Sequence, residues 1–405
     1  MVLLRNQPLH FGNDHMKKTA MLVLLVIAVV TCKKPYSPPV ITGNGNYLVV
    51  EGVINSGADS TIITLSRTVN VSSTTTLNPV PGAQVAVVSD QGVVFPLTET
   101  TNGNYVSPGL NLDAAHLYRL SIKTADEQYQ SDLAPVNATP PIDSIGFNII
   151  NGPVAGIQIY VNSHDATNGV KYYRWDYTEN WEFHADYPSN YVTNGTAIVL
   201  RTLSQYITYC YTGDVSSNIV LGSSAKLKQD VIYQNPIVFI PSTSEKIEDK
   251  YSILLREYAL TGEAYSFYQS MKTNTEALGS IFDAQPSQLP GNIHCITNPS
   301  EAVIGYVSVC TVSSKRVFIS NDQLPTWVPT YPYTCQQDSE LYCAGMGCIN
   351  DVARNLISGP LIPTTVICYG PCPPPPILPA GYLASTLECV DCTIRGTKTA
   401  PSFWK

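Results

Sequence analysis

The sequence runs to 405 residues, with 23 Lys and Arg against 31 Asp and Glu and a formal net charge of −8. That balance argues against a nucleic-acid binder, which needs basic patches to neutralise phosphates. Charged residues reach only 13 %, about half the roughly 25 % of an ordinary soluble domain; Tyr, Pro, Thr, Ser and Asn fill the difference, a mixture suited to exported β-rich domains.

Residues 1–15 carry no readable pattern, and Met16 is the better start because Lys17 and Lys18 then form a positive lead. Ala20 to Val30 follows as 11 consecutive apolar residues. A bilayer core needs roughly 20 residues of helix, so this run reads as a removable signal core of about 7–15 residues. Val29-Val30-Thr31-Cys32 resembles a bacterial lipobox, in which the cysteine is acylated with chains such as palmitate and the chain is cut just before it. Residues 1–31 are therefore expected to leave, and Cys32 to become a lipid-bearing N-terminus. Two or three acyl chains at about 0.8 kcal/mol per buried CH₂ make a stable anchor. Residues 32–46, with Pro35, Pro38 and Pro39, read as a tether that prolines hold extended.

At this length two domains are the natural expectation. The first spans 47–136: "YLVVEGVI", "STIITLSRTV", "QVAVVS" and "HLYRLSIKT" are short β-branched or alternating runs between turn residues. Strands spaced by about 8–12 residues indicate an immunoglobulin-like or prealbumin-like sandwich. Residues 137–144 contain Pro140-Pro141 and read as a stiff linker.

The second β-rich domain is expected over 145–330. In "KYYRWDYTENWEF", Tyr172, Arg174, Asp176 and Thr178 share one face, and Tyr173, Trp175, Tyr177 and Glu179 share the other, which reads as core. The functional alternative is a carbohydrate or peptide platform built from Trp175, Tyr177 and Trp181 and flanked by Asp176, Glu179, Glu182 and Asp186. One notable helix is expected near 262–279, where Ala264, Phe267, Tyr268, Met271 and Leu278 form an apolar stripe. Thr261 suits its N-cap and Gly279 its stop. Residues 331–405 then form a Cys- and Pro-rich tail with polyproline at 371–376.

Besides Cys32 there are ten cysteines: Cys210, Cys295, Cys310, Cys335, Cys343, Cys348, Cys368, Cys372, Cys389 and Cys392. In an exported chain an even number reads as up to five disulfides, whose pairing the sequence leaves open. The competing reading takes Cys368-x3-Cys372 and Cys389-x2-Cys392 as a zinc ribbon; a third takes Cys389 and Cys392 as a redox pair. His294-Cys295 reads as a loop histidine beside a disulfide rather than a catalytic dyad. The sequence contains no nucleophile elbow, zinc-protease helix motif, P-loop or dinucleotide fingerprint, and His116, His164 and His184 have no motif partners. No metal or cofactor is expected.

The lipobox, "LVVEGVI", "YRWDY", the stretch from Ser252 to Val309 beginning "SILLREYALTGEAYSFYQ", and the terminal "CVDCTIRGTKTAPSFW" together resemble a Bacteroidota family of outer-membrane lipoproteins described only as a domain of unknown function. Members tend to be encoded beside TonB-dependent transporters. The resemblance implies an outer-membrane lipoprotein; the cell surface is favoured over the periplasmic face, but Lys33-Lys34 stand where surface-exposed members often carry acidic residues and leave the face open. It implies an accessory or ligand-binding partner of such a transporter, taking a small ligand, glycan or peptide. It supplies no catalytic residue. A structural or adhesive surface lipoprotein is the alternative, and a glycan- or peptide-cleaving enzyme a more distant one.

Overall fold

A computed structural model describes residues 46–69, 78–276, 291–343, 347–372 and 378–405. The expected signal segment, Cys32, nearly all of the expected tether, the helix positions Leu278 and Gly279 and most of the polyproline run lie outside the described residues. Among the described residues the protein is mainly β, with several sheets and few helices. No helix there is long and apolar enough to cross a membrane.

The first domain contains β1 (Leu48–Asn55), β2 (Thr61–Arg67), β3 (Gln84–Ser89), β4 (Val94–Thr101), β5 (Asn104–Ser107), β6 (Leu117–Lys123), β7 (Gln128–Ser131) and β8 (Ala134–Pro135). Period-two patterning decides their faces: in β3, Val85, Val87 and Ser89 are buried, and in β6, Tyr118, Leu120 and Ile122. These side chains meet in one core with Leu48, Ile63, Leu65 and Tyr105, which is the expected sandwich-like arrangement.

The second domain follows with β9 (Ile142–Ile150), β10 (Gly156–Asp165), β11 (Tyr172–His184), β12 (Tyr191–Thr193), β13 (Ile198–Leu200), β14 (Tyr209–Val215), β15 (Val220–Ser223), β16 (Asp230–Pro241), β17 (Lys250–Leu260) and helix α1 (Gly262–Glu276). Sheet β16-β10-β9 faces the sheet β14-β11-β17-β21, with β21 at Val312–Ser320, across a core containing Ile157, Ile159, Tyr173, Trp175 and Tyr251. Thr261 Oγ1 accepts from the amide of Ala264 at 3.2 Å, the expected N-cap of α1.

The division at 145–330 needs correction. Between α1 and β21 the chain returns to the first domain as β18 (Ile293–Cys295), β19 (Val303–Ile304) and β20 (Val309–Cys310). β18 pairs antiparallel with β7, and β19 and β20 pair parallel with β1, completing an 11-stranded sheet. A closed sandwich needs partners for its edges, and here a segment about 240 residues downstream of β1 supplies them. The linker is also shorter than 137–144, because β9 begins at Ile142.

The tail has its own small sheet, β22 (Asp338–Leu341), β24 (Gly381–Ser385) and β23 (Ile362–Ile367) in that order, followed by a short helix α2 (Leu387–Val390). Its disulfides are Cys210–Cys392, Cys335–Cys389, Cys343–Cys348 and Cys368–Cys372. Cys295 and Cys310 are buried free thiols, correcting their assignment as disulfide cysteines. Cys295 packs in the first-domain core, and Cys310 packs with Val53, Tyr258 and Phe267.

Candidate functional site

The alternation of β11 is regular along its whole length, and every second side chain from Tyr173 to Phe183 is buried. Trp175, Tyr177 and Trp181 are 1 %, 3 % and 9 % exposed. They are core residues, as the strand alternation indicated, so the alternative of an aromatic platform does not exist as a surface. Tyr173 stacks on Trp175 with ring centroids 5.7 Å apart, and Trp175 Nε1 donates to buried Glu257 at 2.8 Å. The carboxylates that neighbour them in sequence also separate. Glu179 turns inward, where Lys246 Nζ at 2.5 Å and the Tyr251 hydroxyl at 2.7 Å satisfy it. Glu182 points outward and accepts from the Tyr211 hydroxyl at 2.9 Å.

The opposite face of β11 carries the chemistry. Antiparallel pairing with β17 sets Arg174 opposite Tyr258 and Asp176 opposite Arg256. Arg256 Nε donates to Asp176 Oδ1 at 2.6 Å, and its Nη2 donates to Thr178 at 3.2 Å. Arg174 lies on the rings of Tyr258 and Tyr268, 4.5 and 4.9 Å from their centroids. Burial alone would push the Arg174 pKa down, but Tyr268, Asp176 and Tyr258 more than offset it and the pKa is raised. Burial, then Asp176, push the Tyr258 phenol up.

Arg174, Asp176, Arg256 and Tyr268 form one wall of a cleft of about 490 Å³. Val49, Glu51 and Gly52 of β1 contribute, as do the 215–219 loop, Phe267, Tyr268 and Met271 of α1, and Ile304, Gly305 and Tyr306. The cleft therefore sits where the returning segment, the first domain and the second domain meet. Gly305 makes that meeting possible. Its φ is +145°, and a Cβ there would lie 2.3 Å from the Val50 carbonyl oxygen. Lys272 Nζ ties the loop to α1 by donating to the Ile219 carbonyl at 2.8 Å. A second, smaller cleft lies at Asn180, Tyr211, Gly213 and Gly396.

The sequence placed Arg174 and Asp176 on one strand face; it marked Asp176 only as a carboxylate flanking the aromatic platform, and Arg174 not at all. Arg256 and the cleft lining from the first domain had no local signal, because their proximity exists only after pairing. Of the other candidates, His294 and Cys295 point to opposite sides of β18: Cys295 is buried, and exposed His294 pairs with Asp132 at 3.2 Å. The four cysteines with zinc-ribbon spacing are divided among three disulfides, so they form neither one ligand set nor a Cys389–Cys392 redox pair.

Among the described residues, two groups bring metal-ligating atoms within 4.8 Å of one another, Glu127/Cys295/Glu301 and His184/Glu248/Asp249. Protein groups already engage both. Thr297 donates to Glu127, and the Tyr129 hydroxyl donates to Glu301 at 2.7 Å. His184 Nδ1 pairs with Asp249 at 2.7 Å, which raises the imidazole pKa, and the Tyr331 hydroxyl donates to Glu248 at 2.8 Å.

A family model described as a domain of unknown function, DUF4249, matches residues 33–316. No curated protein matches the chain. The matched span contains every residue of the larger cleft, whereas the terminal "CVDCTIRGTKTAPSFW" counted in the resemblance lies beyond it.

Proposed function

The chain belongs to this family of unknown function, DUF4249, and from that premise we propose that it is a non-enzymatic, lipid-anchored protein that captures a ligand as the accessory partner of a TonB-dependent outer-membrane transporter. The observation that carries the ligand-binding half is the cleft of about 490 Å³, whose size and mixed lining suit a small molecule. The anchor rests on the apolar run, Cys32 and the proline tether. The paired cysteines of the C-terminal region fit an oxidising compartment. The transporter rests on the resemblance described above.

A structural or adhesive surface lipoprotein is the second reading. In its favour, Leu200 and Leu203, on and after the β12–β13 hairpin, are 68 % and 89 % exposed, and such apolar surface suits contact with another body. Hydrolysis is less well supported, because Asp176 of the cleft is already engaged by Arg256.

Purification of the tagged chain from detergent-solubilised native membranes tests the proposal. A β-barrel partner in stoichiometric amount and an acylated Cys32 by intact-mass analysis are expected. A chain that emerges alone, with Cys32 unmodified, overturns both the partnership and the anchor.

A further inference from the structure

We infer that the ligand of the β11–β17–α1 cleft is an amphipathic monoanion, its carboxylate head on Arg174 and its apolar body against α1 and residues 304–306; this rests on the ligand-capture reading above. The two cleft arginines are in different states. Arg256 donates from Nε to Asp176 and from Nη2 to Thr178, at 2.6 and 3.2 Å. Arg174 has its nearest carboxylate oxygen, from Asp176, at 3.7 Å. Among the described residues its guanidinium makes no side-chain hydrogen bond, and Nε is buried without a partner.

The Tyr258 and Tyr268 rings hold the flat face of this guanidinium but cannot fill the donors on its edge. A partly buried cation with open donors is costly unless an acceptor of opposite charge arrives. The guanidinium fork matches the two oxygens of a carboxylate.

The charge of the lining limits that head. Arg174 and Arg256 are balanced by Asp176 and exposed Glu51, so one negative charge suits the cleft better than a phosphate dianion. Beyond the arginines, Ile219, Phe267, Met271, Ile304 and Tyr306 offer an apolar and aromatic wall. An anion with no apolar body would leave that wall wet, and a neutral amphiphile would leave Arg174 unmet.

The test is calorimetric titration of the full acylated chain in nanodiscs with 4-phenylbutyrate, 4-phenylbutan-1-ol and acetate, with empty nanodiscs as blank. Phenylbutyrate is expected to bind at least tenfold more tightly than the alcohol, and acetate at least tenfold more weakly than phenylbutyrate. Arg174→Met should erase the difference between acid and alcohol, whereas Met271→Ala should weaken both. Arg174→Lys, which keeps the charge without the fork, should retain part of the preference; near-UV circular dichroism checks that each variant is folded. Equal affinity for acid and alcohol overturns the anionic head while ligand capture stands. Binding of none of the three overturns the ligand class, and is read separately from recovery of a transporter partner.

Discussion

Cys392 is joined to Cys210, 182 residues earlier in the chain, with Cα atoms 5.7 Å apart. The bond fastens the end of the tail to β14 of the second domain, and both cysteines are fully buried. Around it, the Arg395 guanidinium lies over Phe183 and Tyr331, each centroid 4.6 Å away.

Closing so long a loop restricts the unfolded chain by about 5 kcal/mol in the chain-entropy picture, less where Cys335–Cys389 already shortens it. The double variant Cys210→Ser/Cys392→Ser should therefore lose about 3–5 kcal/mol in urea unfolding. Loss of Cys343–Cys348, which spans 5 residues, should cost far less in the same measurement.

Glu257 is completely buried and accepts from the Ser163 hydroxyl and Trp175 Nε1, both at 2.8 Å. Burial pushes its pKa from 4.5 up to about 7; the two hydrogen bonds oppose the rise, and Asp143 and Asp230 add to it. The folded state thus holds this proton more tightly than the unfolded state. Its contribution is fully present below about pH 4.5 and is lost as pH rises through about 7. Glu257→Gln keeps a neutral hydrogen-bonding group, so the change in its unfolding free energy between pH 5 and pH 8 should differ from that of the native chain by about 2–3 kcal/mol. Urea titrations at the two pH values measure it, and equal pH dependence in both proteins would contradict the assignment.

Gly305→Ala puts a Cβ 2.3 Å from the Val50 carbonyl oxygen, at a φ of +145° that side chains rarely adopt. Strain of this kind costs about 1–3 kcal/mol, and β1 must also shift. Lower urea stability is expected, together with faster amide exchange in β19, β20 and β1.

Lys246 reaches Glu179 at 2.5 Å and lies 5.0 Å from the Trp181 ring centroid. Glu179 is 3 % exposed, so removing the cation leaves a buried carboxylate held by Tyr251 alone. Lys246→Met should destabilise the protein by about 2 kcal/mol, below the 3–5 expected of a fully buried pair because Lys246 is partly exposed. The double variant with Glu179→Gln should recover much of that loss in thermal unfolding.

Much of the architecture was legible because β-strand patterning is local. The alternation from Tyr172 to His184 assigned both faces of β11, and the apolar stripe through Ala264, Phe267 and Tyr268 located α1. The same alternation argued against the aromatic platform: side chains that make a strand amphipathic are the ones its sheet buries. The domain division failed over 291–310 because short, irregular strands have no periodicity that names a partner. Nothing in "NIHCITNP" points to β7 rather than to a neighbour in sequence.

By itself the sequence determined that this is a β-rich chain with a helix after "SILLREYAL", a cysteine-dense end and an apolar run before Cys32. Those properties depend on composition and on spacings of two to four residues, which the backbone reads locally. Only the tertiary structure decided which cysteines pair, that Cys295 and Cys310 stay free, and that Arg174 lies beside Phe267, Met271 and Tyr306 in one cleft. These are contacts between segments tens to hundreds of residues apart, selected by which surfaces remain to be buried once the local elements have formed.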